Sequence, residues 1–309
     1  MPDAAAVERD AAEEKSVFAH PAVEPDATEA YGPHPDQIVD FHAPRGGPDH
    51  PEGTGGAPLV VVFHGGAWRA PYDRRHISPF ADFLARRGFA VANVEYRRGR
   101  DVPAPRTGPG GGTEATGGPV AGRWPETFDD VAAVMDALPE LVARALPGTD
   151  IRRTVLTGHS AGGQLALWAA ARHVLPRGSA WRLDRAPELR GVVALAPIAD
   201  FERATALDVC GGAVRQLLGT GDDETAAAAR RAAADPALLL PTGIATTVVQ
   251  GYDDIVVPRP VAEAYVDAAA RAGETVGLTL LAEAGHFPLI DPAADACAVV
   301  AEEIAQLAW

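Results

Sequence analysis

The residues best suited to chemistry in this chain are Ser160, His286 and two neighbouring carboxylates, Asp253 and Asp254. Ser160 sits in "GHSAG", residues 158–162, between an apolar run, "RTVLTG", and a helical segment, "AGGQLALWAAAR". A nucleophile at such a tight strand-to-helix turn needs small neighbours, because the backbone is strained and a Cβ would collide with adjacent strands. Gly158, Gly162 and Gly163 meet that need. The helix behind Ser160 also offers free N–H groups and a positive dipole end. A serine hydroxyl is a weak nucleophile until a base takes its proton, and the base needs a partner that holds its tautomer. His286, in "AEAGHFPLI", directly follows the last apolar run and is the expected base. His20, His34, His42 and His50 precede or border the core, and His173 is late in a helix. The acid is expected after a strand between serine and histidine, where "QGYDDIVVP" supplies Asp253 and Asp254. Adjacent carboxylates point different ways, so one of them can meet the imidazole, and spacing alone does not choose between them.

A second feature, "FHGGAWR" (residues 63–69), follows the apolar run "LVVV". Acyl transfer passes through a tetrahedral intermediate with a negative oxygen, which needs two or three rigid N–H donors. One would come from Ala161, the residue after the nucleophile. Gly65 and Gly66 are the expected others, since glycine lets backbone N–H groups turn inward and approach closely. His64 is then expected to brace the loop. Trp68 is placed either to line an acyl or aryl pocket or to serve as a core or rim aromatic, and His159, beside the serine, to contact substrate. No His/Cys/Asp/Glu group has metal-ligand spacing, so neither a metal nor another cofactor is implied.

These residues must be held by a regular framework, and the sequence supplies one. Strands are expected at 37–43, 59–64, 90–96, 153–158, 191–197, 246–251 and 276–283, most of them apolar throughout, as suits strands covered on both faces. Helices alternate with them. "SPFADFLARRG" places Ser78 at the N-cap, Pro79 at the first helical position and Gly88 at the close, and "PETFDDVAAVMDAL" should end or kink at Pro139. The rhythm predicts one α/β domain from residue 31 to 309 built on a mostly parallel, doubly wound sheet, whose ligands bind at the carboxyl ends of the strands. Residues 1–30, rich in Ala, Asp and Glu, read as an acidic tail or a loosely packed helix. Residues 101–123 read as a Gly/Pro-rich mobile loop, and 198–244 as a lid-like excursion with two short helical pieces.

Bulk composition narrows the partners. The chain has 309 residues, a formal net charge of −15 and a single lysine, Lys15. An acidic surface repels phosphate backbones and anionic headgroups, so a small molecule is the expected partner rather than nucleic acid or a membrane. The N-terminus lacks the basic start and apolar stretch of a secretory signal, and Cys210 and Cys297 stand in no CxxC spacing, so a reduced, cytoplasmic protein is expected.

The stretches "VVFHGGAW", "VANVEYR", "TGHSAGGQLALWAA", "ALAPIAD", "QGYDDIVVP" and "EAGHFPLI" together resemble the α/β-hydrolase esterases with an HGG oxyanion loop, in particular the branch that includes kynurenine formamidase (arylformamidase). The resemblance implies the α/β-hydrolase fold and cleavage of a small ester or amide, including N-formyl aryl amides, with the triad in the chain order Ser, Asp, His. The family's "GxxDxxVP" pattern falls on Asp254. An acyl or thioester transferase would use the same triad, whereas a non-catalytic binding module on this fold would be expected to lack a member of it.

Overall fold

The computed structural model describes residues 3–46, 56–99, 120–219 and 223–309. Its eight strands are β1 (Ala27–Ala30), β2 (Ile38–His42), β3 (Ala57–Phe63), β4 (Ala90–Val94), β5 (Thr149–His159), β6 (Gly191–Leu195), β7 (Thr246–Gly251) and β8 (Gly277–Leu281). They form one sheet in the order β1-β2-β4-β3-β5-β6-β7-β8. β1 and β2 run antiparallel and β2 meets β4 antiparallel, while every pairing from β4 to β8 is parallel. This is the α/β-hydrolase fold, with all seven expected strands in place.

The helices are α1 (Ala4–Ala19), α2 (Ser78–Ala85), α3 (Glu126–Ala145), α4 (Ala161–Ala170), α5 (Phe201–Ala206), α6 (Ala213–Leu218), α7 (Glu224–Ala234), α8 (Pro260–Arg271) and α9 (Asp295–Ala308). The pleat of β3 shows how they divide. Leu59, Val61 and Phe63 enter the core shared with Phe128 of α3, Leu165 of α4 and Val261 of α8. Val60 and Val62 enter the opposite core, with Phe80 of α2 and Val300 of α9. Alternate side chains thus serve opposite layers, which is why β3 reads as apolar throughout.

The structure corrects four local expectations. α3 runs through Pro139 instead of ending there, because Leu138, Leu141 and Val142 are all buried and hold the helix across the lost hydrogen bond. Ser78 lies inside α2 and does not cap it; its hydroxyl donates to the Arg75 carbonyl and accepts from the Val23 N–H, tying the N-terminal segment to this helix. β1 joins the sheet inside residues 1–30, a strand that "ATEA" does not announce. Nor is α1 loosely attached. Its Ser16 hydroxyl donates to Asp291 at 2.5 Å, His20 meets the same carboxylate at 2.8 Å, and Glu13 accepts from the Gly285 N–H at 3.1 Å.

Of the segment expected as a mobile loop, residues 101–119 lie outside the described residues. The 198–244 excursion carries α5, α6 and α7. Gln164 and Trp168 of α4 tie it down by donating to the carbonyls of Ala234 and Ala233, at 2.9 and 2.7 Å.

Glycines set the tightest tolerances. A Cβ on Gly158 would lie 2.3 Å from the Gly162 carbonyl oxygen and 2.8 Å from that of Phe63. Both obstacles are backbone and cannot swing aside, so Gly158→Ala should lower the unfolding free energy by about 2 kcal/mol or more. A denaturant titration with an unchanged slope and a midpoint close to that of the parent would contradict this close packing.

Candidate active site

Ser160 connects β5 to α4 with φ 56° and ψ −116°, a left-handed backbone that costs a residue with a Cβ about 1–2 kcal/mol. The cost is met by neighbours that fix the turn. Its N–H donates to the Leu195 carbonyl at 2.8 Å, and its own carbonyl accepts from Gln164 and Ile198 at 3.2 and 3.3 Å. Gly162 closes the arrangement, since a Cβ there would fall 2.0 Å from the Phe63 oxygen and 2.4 Å from that of His64. The geometry is that of a nucleophile elbow, in which a sharp turn lifts the hydroxyl clear of the strand.

His286 lies in the turn after β8 and Asp254 in the turn after β7, and both are buried. The Nδ1–H of His286 donates to Oδ2 of Asp254 at 2.7 Å. The same oxygen accepts from Gln250 at 3.0 Å, and Oδ1 accepts from the N–H groups of Val256 and Val257, both at 2.8 Å. Every lone pair of the carboxylate is thus directed, and the Nε2 atom of His286 is left as the free ring nitrogen. Asp253 points elsewhere: it is about one-third exposed and pairs with Arg9 at 3.8 Å. Geometry therefore separates the two carboxylates that spacing left equal.

His159 has a second place in this network. Burial, reinforced by the neighbouring His286, holds its imidazole well below the usual histidine range, so it is neutral. Its Nε2–H donates to the His286 carbonyl at 2.9 Å, and the two rings lie 4.3 Å apart. His159 lines the cleft and also fixes the backbone that carries His286.

The glycine loop lies directly across from the serine. A Cβ built on Gly65 would sit 3.5 Å from Cβ of Ser160, and Gly66, at φ 99°, belongs to the cleft wall. Ala161 is the first residue of α4, where N–H groups have no intrahelical acceptor. Among the described residues, the N–H groups of Gly65, Gly66 and Ala161 have no hydrogen-bond partner.

Of the two places open to Trp68, pocket or core, the structure shows the core. The residue is fully buried, packs against Phe201 at 6.2 Å, and is not among the side chains lining the cleft that holds Ser160. Its carbonyl accepts from the Gly99 and Gly122 N–H groups, and both Ala67 and Trp68 have positive φ, 51° and 54°. The indole anchors a bent loop from below, so its large apolar surface serves the core and not a ligand.

His64 and Glu95 form a second buried network beneath the same loop. Nε2 of His64 meets the Glu95 carboxylate at 2.9 Å and Nδ1 meets the Gly65 carbonyl at 2.9 Å, while Tyr96 stacks on the ring at 4.3 Å and donates to the His64 carbonyl. Burial alone would push the Glu95 carboxyl up, but His64, Arg98 and the Arg74 N–H outweigh it and hold it at about 2. His64 is thus a brace, and Glu95 is the partner that residue types did not single out; its signal was the "VEYR" stretch.

The cleft measures about 170 Å³ and is lined by Ser160, His286 and His159 together with Phe18, Arg69, Tyr72, His76, Cys210, Phe287 and Ile290, among others. Three sources of this wall went unread in the sequence. Phe18 comes from α1, Cys210 from the 198–244 excursion, and Phe287 and Ile290 from the residues directly after the histidine. Burial lowers His76 to about 4 and raises the Cys210 thiol to about 11, so both stay neutral. Also on α1, burial raises the Asp10 carboxyl, with His286 pulling it down and Asp254 pushing it further up. Among the described residues no group of three or more metal-ligating side chains occurs, both cysteines are free, and no helix is long and apolar enough to cross a membrane.

A family model described as the alpha/beta hydrolase family matches residues 60–299. Among solved structures, esterase B from Lactobacillus rhamnosis inhibited by a tributyrin phosphonate is similar, with a TM-score of 0.70 at 19% identity, covering 98% of this chain and 92% of that one. A truncated carbohydrate esterase from gut microbiota gives 0.67 at 15% identity, covering 94% and 99%. A propionate-bound esterase from the planctomycete Thermogutta terrifontis gives 0.61 at 18% identity, covering 91% and 92%. At these identities the likeness is one of fold. No curated protein sequence matches the chain.

The network around Glu95 makes a pH-dependent prediction. Its carboxyl titrates near 2 in the folded chain against 4.5 when exposed. A depressed acid contributes stability that is fully present above the exposed value and is lost as pH falls through the folded one. That contribution is on the order of 3 kcal/mol at neutral pH. Glu95→Gln should therefore melt at a lower temperature than the parent at pH 7, with the gap narrowing as pH drops from about 4.5 toward 2. Parallel melting curves for the two proteins across that range would rule out the charged pairing.

Proposed function

The chain belongs to the alpha/beta hydrolase family, and from that premise we propose that it is a serine hydrolase of small carboxylic esters or amides. The observation that carries this reading is the joint position of Ser160, on a strained strand-to-helix turn, and His286, with its Nδ1–H held by Asp254, in one cleft. Ser160 Oγ attacks the substrate carbonyl while Nε2 of His286 accepts the hydroxyl proton, and the carbonyl π electrons move onto oxygen. The N–H groups of Ala161, Gly65 and Gly66 receive that oxyanion. Collapse of the intermediate expels the alcohol or amine, which takes the proton from His286, and leaves an acyl group on Ser160. Water, deprotonated by the same imidazole, then releases the acid and restores the serine. Asp254 stays ionised throughout and stabilises the imidazolium.

A formamide substrate is a narrower version of the same chemistry, favoured by the "HGGAW" sequence and by a cleft of about 170 Å³, which suits a small acyl group. The residues that set ester against formamide preference are those of the cleft wall and not the triad, so the two are separated by turnover and not by geometry.

Replacing the nucleophile tests the mechanism. Ser160→Ala should reduce hydrolysis of an activated short-chain ester by at least about 10³-fold and abolish labelling by a fluorophosphonate, with the circular dichroism spectrum unchanged. Full turnover by this variant would sink the assignment. Comparing N-formyl-kynurenine with short 4-nitrophenyl esters on the parent enzyme sorts the substrate class: efficient deformylation favours the formamidase reading, and turnover of esters alone the carboxylesterase.

A further inference from the structure

The cleft wall is electrostatically lopsided in a way that the triad does not use. Its only permanently charged side chain among the described residues is Arg69, and no Asp or Glu lines it, in a chain with 42 acidic and 27 basic residues. Asp10 and Glu13 approach His286 from α1 but lie outside this lining. Arg69 has no carboxylate partner among the described residues. One of its five donors is committed: Nη2 donates to the Cys210 carbonyl at 2.6 Å. Its Nε is buried and has no hydrogen-bond partner among the described residues. A guanidinium cannot shed its proton, and leaving a buried donor unmade is costly. The side chain is also held firmly. Its backbone N–H donates to Gly66, and the preceding Ala67 and Trp68 adopt positive φ over the buried indole. The loop that presents Gly65 and Gly66 to Ser160 thus presents Arg69 to the same cleft.

Resting on the serine-hydrolase reading, we infer that Arg69 is a substrate-binding residue and that the preferred substrate carries a carboxylate close to its scissile ester or amide bond. A planar guanidinium fixed at one end by a carbonyl matches the two oxygens of a carboxylate. The apolar remainder of the wall, with Phe18, Val256, Phe287 and Ile290, takes up the uncharged part.

Two matched ester pairs test this on the full-length protein and locate the anion. 4-Acetoxybenzoate against 4-acetoxybenzamide places the charge on the leaving group. The 4-nitrophenyl monoester of adipic acid against 4-nitrophenyl pentanoate places it on the acyl group. In the parent protein the anionic member of one pair should show a kcat/KM at least about tenfold above its neutral partner, the scale of a charged hydrogen bond. That ratio should fall to one or below in Arg69→Gln and take an intermediate value in Arg69→Lys, which keeps the charge but loses the fork. Because the readout is a ratio within one protein, a general loss of activity cancels. If Arg69→Gln does not fold, the parent and the lysine variant still decide. Neutral esters cleaved with no anionic preference in either pair would overturn the inference and leave the serine-hydrolase reading standing. So would a preference that survives Arg69→Gln unchanged. No turnover of any ester, together with no fluorophosphonate labelling of Ser160, would overturn both.

Discussion

The left-handed backbone at Ser160 is the constraint on which the other features depend. At φ 56° the residue ends β5 and begins α4 with no intervening loop, which is tolerable only because the chain around it can come within contact of neighbouring carbonyls. Gly158 and Gly162 give that freedom on the serine's own segment: Gly158 passes the carbonyls of Gly162 and Phe63, and Gly162 those of Phe63 and His64. The end of β3 is therefore fixed relative to the elbow by backbone contact and not through flexible side chains. The glycine loop after β3 therefore starts from a point already set against the serine's turn. Parallel pairing of β3 with β5, and of β5 with β6, brings the two loops to the same end of the sheet and sets their height to within a residue.

Two buried polar networks lie beside this elbow. On one side Asp254, His286 and His159 form a chain in which each donor has one acceptor: Nδ1–H of His286 to the carboxylate, Nε2–H of His159 to a carbonyl. On the other side His64, Glu95, Arg98 and Tyr96 brace the glycine loop. Buried polar groups are costly unless satisfied, and both networks are nearly saturated, so each rigidifies its loop. The carboxylate beneath the glycine loop is neutralised locally by His64 and Arg98.

Legibility followed the physical origin of each feature. The seven strands and the serine elbow were readable because they rest on local rules: continuous apolar runs for covered strands, and glycine where a Cβ has no room. His286 was readable from its position after the last strand. Asp254 over Asp253 was not readable from spacing, because the choice depends on where the Val256 and Val257 N–H groups and Gln250 converge, a property of the turn's shape. Trp68 stayed open between pocket and core for a related reason. Its neighbours Ala67 and Arg69 line the cleft, but two positive φ values turn the chain so that the indole goes inward while Arg69 stays at the cleft. Continuation of α3 through Pro139 likewise depends on tertiary burial outweighing a local penalty.

α1 is the clearest case of an element whose importance composition hides. Its sequence, "AAAVERDAAEEKSVFA", has no apolar stripe, and a helix without one has no reason to dock through the hydrophobic effect. It docks through polar contacts instead: Ser16 and His20 on Asp291, and Glu13 on the backbone N–H beside His286. Val17 is buried, and Phe18 reaches the cleft, its ring 6.4 Å from that of Phe287. Such partly exposed contacts contribute about 1 kcal/mol each, far less than the apolar burial that holds the sheet. Glu13 holds the Gly285 N–H while Ser16 and His20 hold Asp291, so α1 is tied to the chain on both sides of His286, and the wall it adds is placed by the same segment that places His286.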